Sequence, residues 1–308
     1  MSQLTTILLE ISLPIIILIG LGFAFQKIAK LDVKTLPRVL IYLIVPVVIF
    51  TKIYRAEITP AFFGQVALFV VCVMASMLLI SLLLGRMLRM GKGRRHALNN
   101  AMVMFNTGNY GIPLIELVFA GNPLATASQL FIVIIQNLSA NTFVVYMASS
   151  GSGQGRSSLL RVLKMPAIYT LVLAAVLNFT GVSIPKTVMI PLDYITSAFI
   201  AVALIALGMQ LAQVRLRSGL KDVVVSTLVK TIAAPLLGFG FVLALGIQGM
   251  LAQALVIGIS TPVAVTTAIF AREFDNEADY AAQMVLSSTL LCTFTLPLVI
   301  WFVQSWFV

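Results

Sequence analysis

Long apolar stretches separated by short polar connections run along the whole chain of 308 residues. About 20 apolar residues suffice for one helical crossing of a bilayer. On that measure the pattern predicts ten spans, at about residues 4–25, 37–54, 61–85, 97–120, 124–148, 162–181, 187–211, 221–246, 250–272 and 279–307. The predicted fold class is therefore an all-α integral membrane protein.

The fourth apolar stretch is interrupted at its centre, between residues 106 and 113. This segment contains two glycines, two asparagines and a proline, which lower helix propensity or remove a backbone donor. We therefore expect a broken membrane helix here, the alternative being a kink or a loop between two short helices. Unwound backbone at membrane depth is tolerated only where it is buried in protein or lines a wet cavity, so the break indicates a site.

A polar segment rich in Gly and Ser, 149–158, lies at the midpoint of the chain and is predicted to be a flexible linker. It separates a first set of five spans (1–148) from a second set of five (159–308). Two halves with an odd number of spans enter the membrane from opposite sides. This is the arrangement of an inverted repeat.

A second interrupted span gives this repeat weak support. A shift of 154 residues, half the chain, places Asn106 and Thr107 on Ser260 and Thr261, which are followed by Pro262. Paired breaks in corresponding spans of two halves indicate the central site of a transporter.

Charge sets the expected orientation. Sixteen of the 20 Lys and Arg residues lie in the connections after odd-numbered spans, and three lie on the opposite side. By the positive-inside rule both termini face outward from the plasma membrane. The net charge of +10 does not indicate nucleic acid, because the basic residues occur in short runs between apolar stretches.

The restarted half of a broken helix offers unpaired N–H groups and a partial positive charge, which favour an anion. Pro113 suits the first turn of such a helix, since its missing donor costs nothing there. Side-chain amides and hydroxyls at both breaks would add directed hydrogen bonds; the alternative is that they only satisfy backbone groups freed by the breaks. The candidate substrate-binding residues are Asn106, Thr107, Gly108, Asn109, Gly111, Pro113, Asn137, Asn141, Ser260, Thr261, Pro262 and Lys230.

Lys230, Glu116 and the pair of Asn137 and Asn141 each have more than one role consistent with the sequence. Lys230 lies about ten residues into an apolar span and should face the protein interior, where it neutralises substrate charge, pairs with a carboxylate, changes protonation or serves as a structural counter-ion. Glu116 follows Pro113 by three residues and is a candidate for proton coupling, or else a hydrated carboxylate near the outer surface. Asn137 and Asn141 form a polar stripe that either binds substrate or joins helices.

Catalytic and metal-binding signatures are absent from the sequence. The chain has one histidine and two cysteines, both cysteines inside predicted spans, and no nucleophile motif or phosphate-binding glycine loop. We therefore expect neither an enzyme nor a cofactor.

Three short motifs resemble a known family, that of the auxin efflux carriers, which includes the plant PIN-formed transporters. They are N-T-x-x-x-G-I-P at residues 106–113, V-P-V-V-I-F at 45–50 and F-A-R-E-F at 270–274. The resemblance runs almost from end to end. It implies ten spans in two inverted five-helix repeats, with outward termini and crossing discontinuous helices 4 and 9, as in sodium–proton antiporters and bile-acid symporters.

The resemblance also implies where the substrate binds and which spans move during transport. A substrate carboxylate is held beside the helix crossing, with Asn106 among its binding residues. Spans three to five and eight to ten form the mobile bundle, and the other four form the scaffold and the homodimer contact. This chain departs from the plant pattern in lacking a long central loop and in carrying Thr267 where that pattern has a proline.

The sequence thus predicts a secondary active transporter of a small organic anion, auxin-like or malonate-like, that works by alternating access. Its expected partners are that anion, membrane lipids and a second copy of the chain. A passive uniporter or channel on the same fold is the alternative, and a membrane-embedded enzyme is the least favoured.

Overall fold

The computed structural model describes residues 3–33, 35–149, 166–214, 220–273 and 275–307, and helices dominate them. Apart from one isolated bridge, these residues contain no β-structure, so the described part of the chain is all-α. Residues 150–158 of the predicted linker lie outside the described residues. The helices are α1 (Gln3–Ala29), α2 (Thr35–Arg55), α3 (Pro60–Met87), α4 (Lys92–Val103), α5 (Ile112–Val118), α6 (Pro123–Ser149), α7 (Pro166–Thr180), α8 (Lys186–Leu211), α9 (Leu220–Ala244), α10 (Gly249–Ile259), α11 (Val265–Glu273) and α12 (Ala278–Trp306).

Three prolines within these helices are each preceded by a wide π-helical turn. The turns are Ile7–Ser12 before Pro14, Leu40–Ile44 before Pro46, and Thr107–Gly111 before Pro113. A proline lacks the N–H that would bond four residues back, and its ring clashes with that carbonyl in an α-helix. The wider turn relieves this clash, so the chain continues as a helix through each proline.

Among the described residues, six helices are long and apolar enough to cross a membrane by length and composition: α1, α2, α3, α8, α9 and α12. Large apolar side chains are exposed on the outside, including Ile28, Met87 and Phe294. Such a surface suits contact with lipid rather than water. The protein is therefore a multi-pass membrane protein, while the count of ten spans and the division into two repeats remain predictions.

One group of helices consists of α1, α2, α7 and α8, and small residues allow close packing within it. A Cβ atom added to Gly22 of α1 would meet the backbone of Ile205, and one added to Gly208 of α8 would meet the backbone carbonyl of Ile19. The amide of Asn178 in α7 donates to three carbonyls at the end of α2, at 2.8–3.2 Å. These contacts join α1 to α8 and α7 to α2.

A second group contains the remaining helices. Within it α9 packs against α3, α10 and α12, α4 packs against α3 and α12, and α6 packs against α10. The two groups meet where α2 contacts α6 and where α8 contacts the Thr107–Gly111 turn and α5. The turn that restarts the fourth stretch therefore lies at the boundary between the groups.

Candidate functional site at the paired helix breaks

The first interruption is shorter than expected and lies earlier in the chain. α4 ends at Val103 and helical structure resumes at Thr107, so the break consists of residues 104–106. The expectation that residues 106–113 are unwound is wrong for the stretch after Asn106. Gly108, Asn109 and Gly111 lie in the π-helical turn, and Pro113 lies in the first turn of α5.

The second interruption lies between α10 and α11, at residues 260–264. Pro262 is at its centre, after Ser260 and Thr261. Residue Thr267, where the plant pattern has a proline, lies inside α11, and its hydroxyl donates to the carbonyl of Ala264 at 2.7 Å. The break of this chain is therefore built around Pro262.

The two breaks pair with each other through the backbone. Phe105 and Val263 form an antiparallel bridge. The N–H of Asn106 donates to the carbonyl of Pro262 at 2.8 Å, and the N–H of Ala264 donates to the carbonyl of Met104 at 3.2 Å. Because buried backbone groups need partners, this pairing allows two unwound segments to meet inside the protein.

The backbone groups of Asn106 are hydrogen-bonded, whereas its side-chain donor has no partner. Its carbonyl accepts hydrogen bonds from the N–H groups of Tyr110 and Gly111, at 3.3 and 2.9 Å. The residue is only 5% exposed, yet its side-chain Nδ2 has no hydrogen-bond partner. A buried amide without an acceptor is costly unless something binds it. Asn106 therefore presents a donor suited to a ligand.

Open space adjoins the same turn. A Cβ atom added to Gly108 would have no heavy atom within 4 Å. Gly108 and Asn109 are half-buried, whereas Thr107 and Tyr110 on either side are buried. The first turn of the restarted helix thus has room beside it on the side of Gly108.

Gln129 of α6, which was not among the site residues predicted from the sequence, lies between the two interrupted segments. It is fully buried, and its Nε2 donates to the carbonyl of Thr107 at 2.9 Å while its Oε1 has no partner. A Cβ atom on Gly111 would collide with the Nε2, and one on Gly258 would collide with the Oε1. Two glycines, one beside each break, make the space for this amide.

Gln136, which adjoins Asn137 in the polar stripe of the fifth predicted span, is a second amide at the first break. Its Oε1 accepts the hydroxyl of Thr107 at 2.5 Å, and its Nε2 contacts the carbonyl of Val103 at 3.4 Å. It thus bridges the two sides of the first break. The residue was visible in the sequence as a polar position in an apolar span, but its partners were not.

The hydroxyls of the second break bond to their own helix. Ser260 donates to the carbonyl of Val256 at 2.6 Å, and Thr261 donates to the carbonyl of Gly258 at 2.9 Å. These contacts satisfy backbone carbonyls at the end of α10. Satisfying backbone groups freed by the breaks was the alternative to substrate binding that the sequence left open. Their oxygen lone pairs can accept a further hydrogen bond, and a binding role for either residue remains a prediction.

The polar stripe of α6 is not enclosed in the same way. Asn137 is exposed, and the side chain of Asn141 lies outside the described residues. An apolar cavity of about 260 Å³ lies nearby, between α3, α4 and α6. Its polar lining comes from Asn99, Asn100 and Ser139.

Glu116 lies at the contact between the two helix groups. Its carboxylate forms an ion pair with Lys52 of α2 at 2.7 Å and accepts the hydroxyl of Thr126 at 2.6 Å. The ammonium of Lys52 also donates to the carbonyl of Gly121 at 3.1 Å. Both charged side chains are about one-tenth exposed. Glu116 therefore has a partly buried ionic partner on the opposite group, and proton coupling through it remains a prediction.

Lys230 of α9 is buried, at 1% exposure, at the end of α4. Its Nζ donates to the carbonyl of Met102 at 3.0 Å and to that of Met104 at 3.3 Å. The same atom lies 4.0 Å from the centre of the Phe105 ring. Its described contacts are thus two backbone carbonyls and one aromatic ring at the end of α4. The roles that the sequence suggested for Lys230 remain predictions.

Known proteins resemble the chain along most of its length. Residues 153–300 match the model of a family described as membrane transport protein. An uncharacterized transporter of Methanothermobacter thermautotrophicus is 26% identical over 296 residues, covering 94% of this chain and 96% of the relative. A second, from Methanocaldococcus jannaschii, is 23% identical over 306 residues, covering 95% and 98%. The chain is therefore similar to membrane transport proteins, in its second half to that family's model and along most of its length to the two transporters.

Proposed function

We propose that the protein is a secondary transporter that carries a small organic anion across the membrane by alternating access. The observation that carries this proposal is the unpaired Nδ2 of Asn106, a buried donor at the pairing of two interrupted helices. A carboxylate oxygen is a strong acceptor for such a donor, and a charged acceptor forms the stronger bond.

The backbone N–H groups of the helix that restarts after Asn106 also favour an anionic ligand. The restarted helix begins at Thr107, and the N–H groups of its first turn point away from the helix body. Together with the partial positive charge of a helix start, they favour a carboxylate. The open space at Gly108, two residues after Asn106, leaves room at the same turn.

The grouping of the helices supports an elevator-like movement. Asn106, Gln129 and Pro262 all belong to the second group, which meets the first group at the Thr107–Gly111 turn. If the second group moves as a unit against α1, α2, α7 and α8, the bound anion moves with it. Ten spans in two inverted repeats, a homodimer formed through the first group, and outward termini in the plasma membrane complete the proposal.

The experiment is a thermal-shift screen of carboxylates on the purified protein in detergent. At least one mono- or dicarboxylate should raise the melting temperature saturably, because a ligand that binds only the folded state stabilises it. Its methyl ester, which has nearly the same size and no charge at that position, should not. An ester that stabilises as well as the acid contradicts an anion site.

Counterflow in proteoliposomes then tests the mode of transport. A carrier should accelerate uptake of labelled anion when unlabelled anion is inside, and uptake should saturate. Unitary currents without counterflow would instead support the passive channel.

A further inference from the structure

The end of α4 leaves carbonyl oxygens that need donors. The last four carbonyls of a helix have no partner within it, and together they carry a partial negative charge. Here the carbonyl of Asn100 accepts the N–H of Met104 at 3.0 Å, and that of Val103 is contacted by Gln136. The carbonyl of Met102 receives its donor from Lys230.

The ammonium of Lys230 fits this position closely. Two of its N–H groups bond to the carbonyls of Met102 and Met104, on either side of the point where the helix ends. Its remaining side lies over Phe105, within the distance of a cation–π contact. The cation is therefore held by two backbone oxygens and one aromatic ring.

No carboxylate neutralises this cation among the residues that the structure describes. The ion pairs in those residues are Lys52 with Glu116, Arg55 with Asp193, and Arg94 with Asp222. The compensating charge for Lys230 is therefore the negative end of α4 itself. Unwound carbonyls and the ends of half-helices are also the groups that coordinate monovalent cations in broken-helix transporters.

We infer that the Lys230 ammonium is a tethered cation, which occupies the position that a bound monovalent cation such as Na⁺ would need at this helix end. The protein then has no requirement for Na⁺ or K⁺ at the paired breaks. Removing the side chain leaves the carbonyls of Met102 and Met104 with the Phe105 ring as a vacant cation site. Only the consequence for ion coupling rests on the proposed transport function.

The test measures thermal stability without any substrate, in NaCl, methylammonium chloride or choline chloride at equal ionic strength. The wild-type protein should melt at the same temperature in all three. Lys230→Ala should melt lower in choline, which is too large for the site, and regain stability saturably with Na⁺ or methylammonium. The melting temperature of Lys230→Arg should not depend on the salt, because the substitution keeps a permanent cation at the helix end.

Lys221→Ala is the matched control, since Lys221 is an exposed lysine nine residues earlier on α9. It should show no dependence on the cation. A Lys230→Ala protein that is equally stable in all three salts contradicts the inference. Stabilisation of the wild type by Na⁺ over choline contradicts it as well, even if the alanine variant cannot be purified. Failure here leaves the anion proposal intact, since no anion binding is measured.

Discussion

The backbone N–H of Asn106 donates to the backbone carbonyl of Pro262 at 2.8 Å, and this bond joins the two interrupted helices. It uses main-chain atoms only, so a side-chain substitution at Asn106 leaves it in place. The side-chain amide of the same residue has no partner. The two parts of Asn106 therefore have different roles. Its backbone maintains the break, and its side-chain amide is available to a ligand.

Substitutions of Gly108 and Gly111 test whether the anion occupies the space beside the Thr107–Gly111 turn. A Cβ atom would meet no neighbour at Gly108 and would meet Gln129 at Gly111. Gly108→Ala should fold with a stability within about 0.5 kcal/mol of the wild type, because its Cβ meets nothing. Its methyl group would enter the proposed ligand space, so anion binding should weaken. Gly111→Ala should instead lose about 1–3 kcal/mol of stability, because its Cβ displaces Gln129. Thermal unfolding and anion titration of both variants separate the two effects.

The close packing of α1 on α8 makes a prediction about stability alone. Gly22→Ala should lower the free energy of unfolding by about 1–3 kcal/mol, because its Cβ would enter the backbone of Ile205. Gly20→Ala, two residues earlier, is the control, since a Cβ there has nothing within 4 Å. Equal melting temperatures for the two variants would mean that α1 and α8 are not in such close contact.

The ion pair between Lys52 and Glu116 joins the two helix groups and should show energetic coupling. A double-mutant cycle with Lys52→Met and Glu116→Gln should give an interaction energy of about 0.5–3 kcal/mol in thermal unfolding. If the groups move relative to each other, the pair must break during transport. Each single variant should then alter the transport rate more than anion affinity. Additive effects of the two substitutions on stability would show that the pair is not formed in the membrane protein.

Sequence patterns predicted that a helix is interrupted and that a lysine is buried, but not the detailed geometry of either feature. The Asn, Gly and Pro residues between 106 and 113 predicted an interrupted helix, and the charge of Lys230 in an apolar span predicted an interior position. Both predictions depend on local properties, namely helix propensity and the cost of an ion in lipid.

The details depend on contacts between distant parts of the chain. The pairing of Phe105 with Val263 fixes the first break at residues 104–106. The sequence around residue 105 does not indicate which distant residue it pairs with. The same holds for Gln129, whose place between Gly111 and Gly258 requires three separate segments. The hydrogen-bond partners of Lys230 were also not predictable, because they are backbone carbonyls, which every residue has.

Orientation follows from the distribution of Lys and Arg and can be tested chemically. In a protein whose two native cysteines are replaced by alanine, Lys92→Cys should react with a membrane-impermeant maleimide only from the cytoplasmic side. Gln248→Cys should react only from outside. Both positions are exposed, so access to reagent depends on membrane side. The reverse pattern at both positions would overturn the outward placement of the termini.

Binding of an anion by the Asn106 amide underlies the proposed transport function. The most direct measurement is calorimetric titration of the wild type and Asn106→Ala with the carboxylate that stabilises the wild type most. Asn106→Ala should bind the anion more weakly by about 1–3 kcal/mol, or roughly 5- to 150-fold, which is the usual effect of losing one buried hydrogen-bond partner. The melting temperature without ligand should be unchanged or higher, since an unpaired buried amide is removed. Equal affinities for the two proteins, with both correctly folded, would contradict the account and place the site elsewhere.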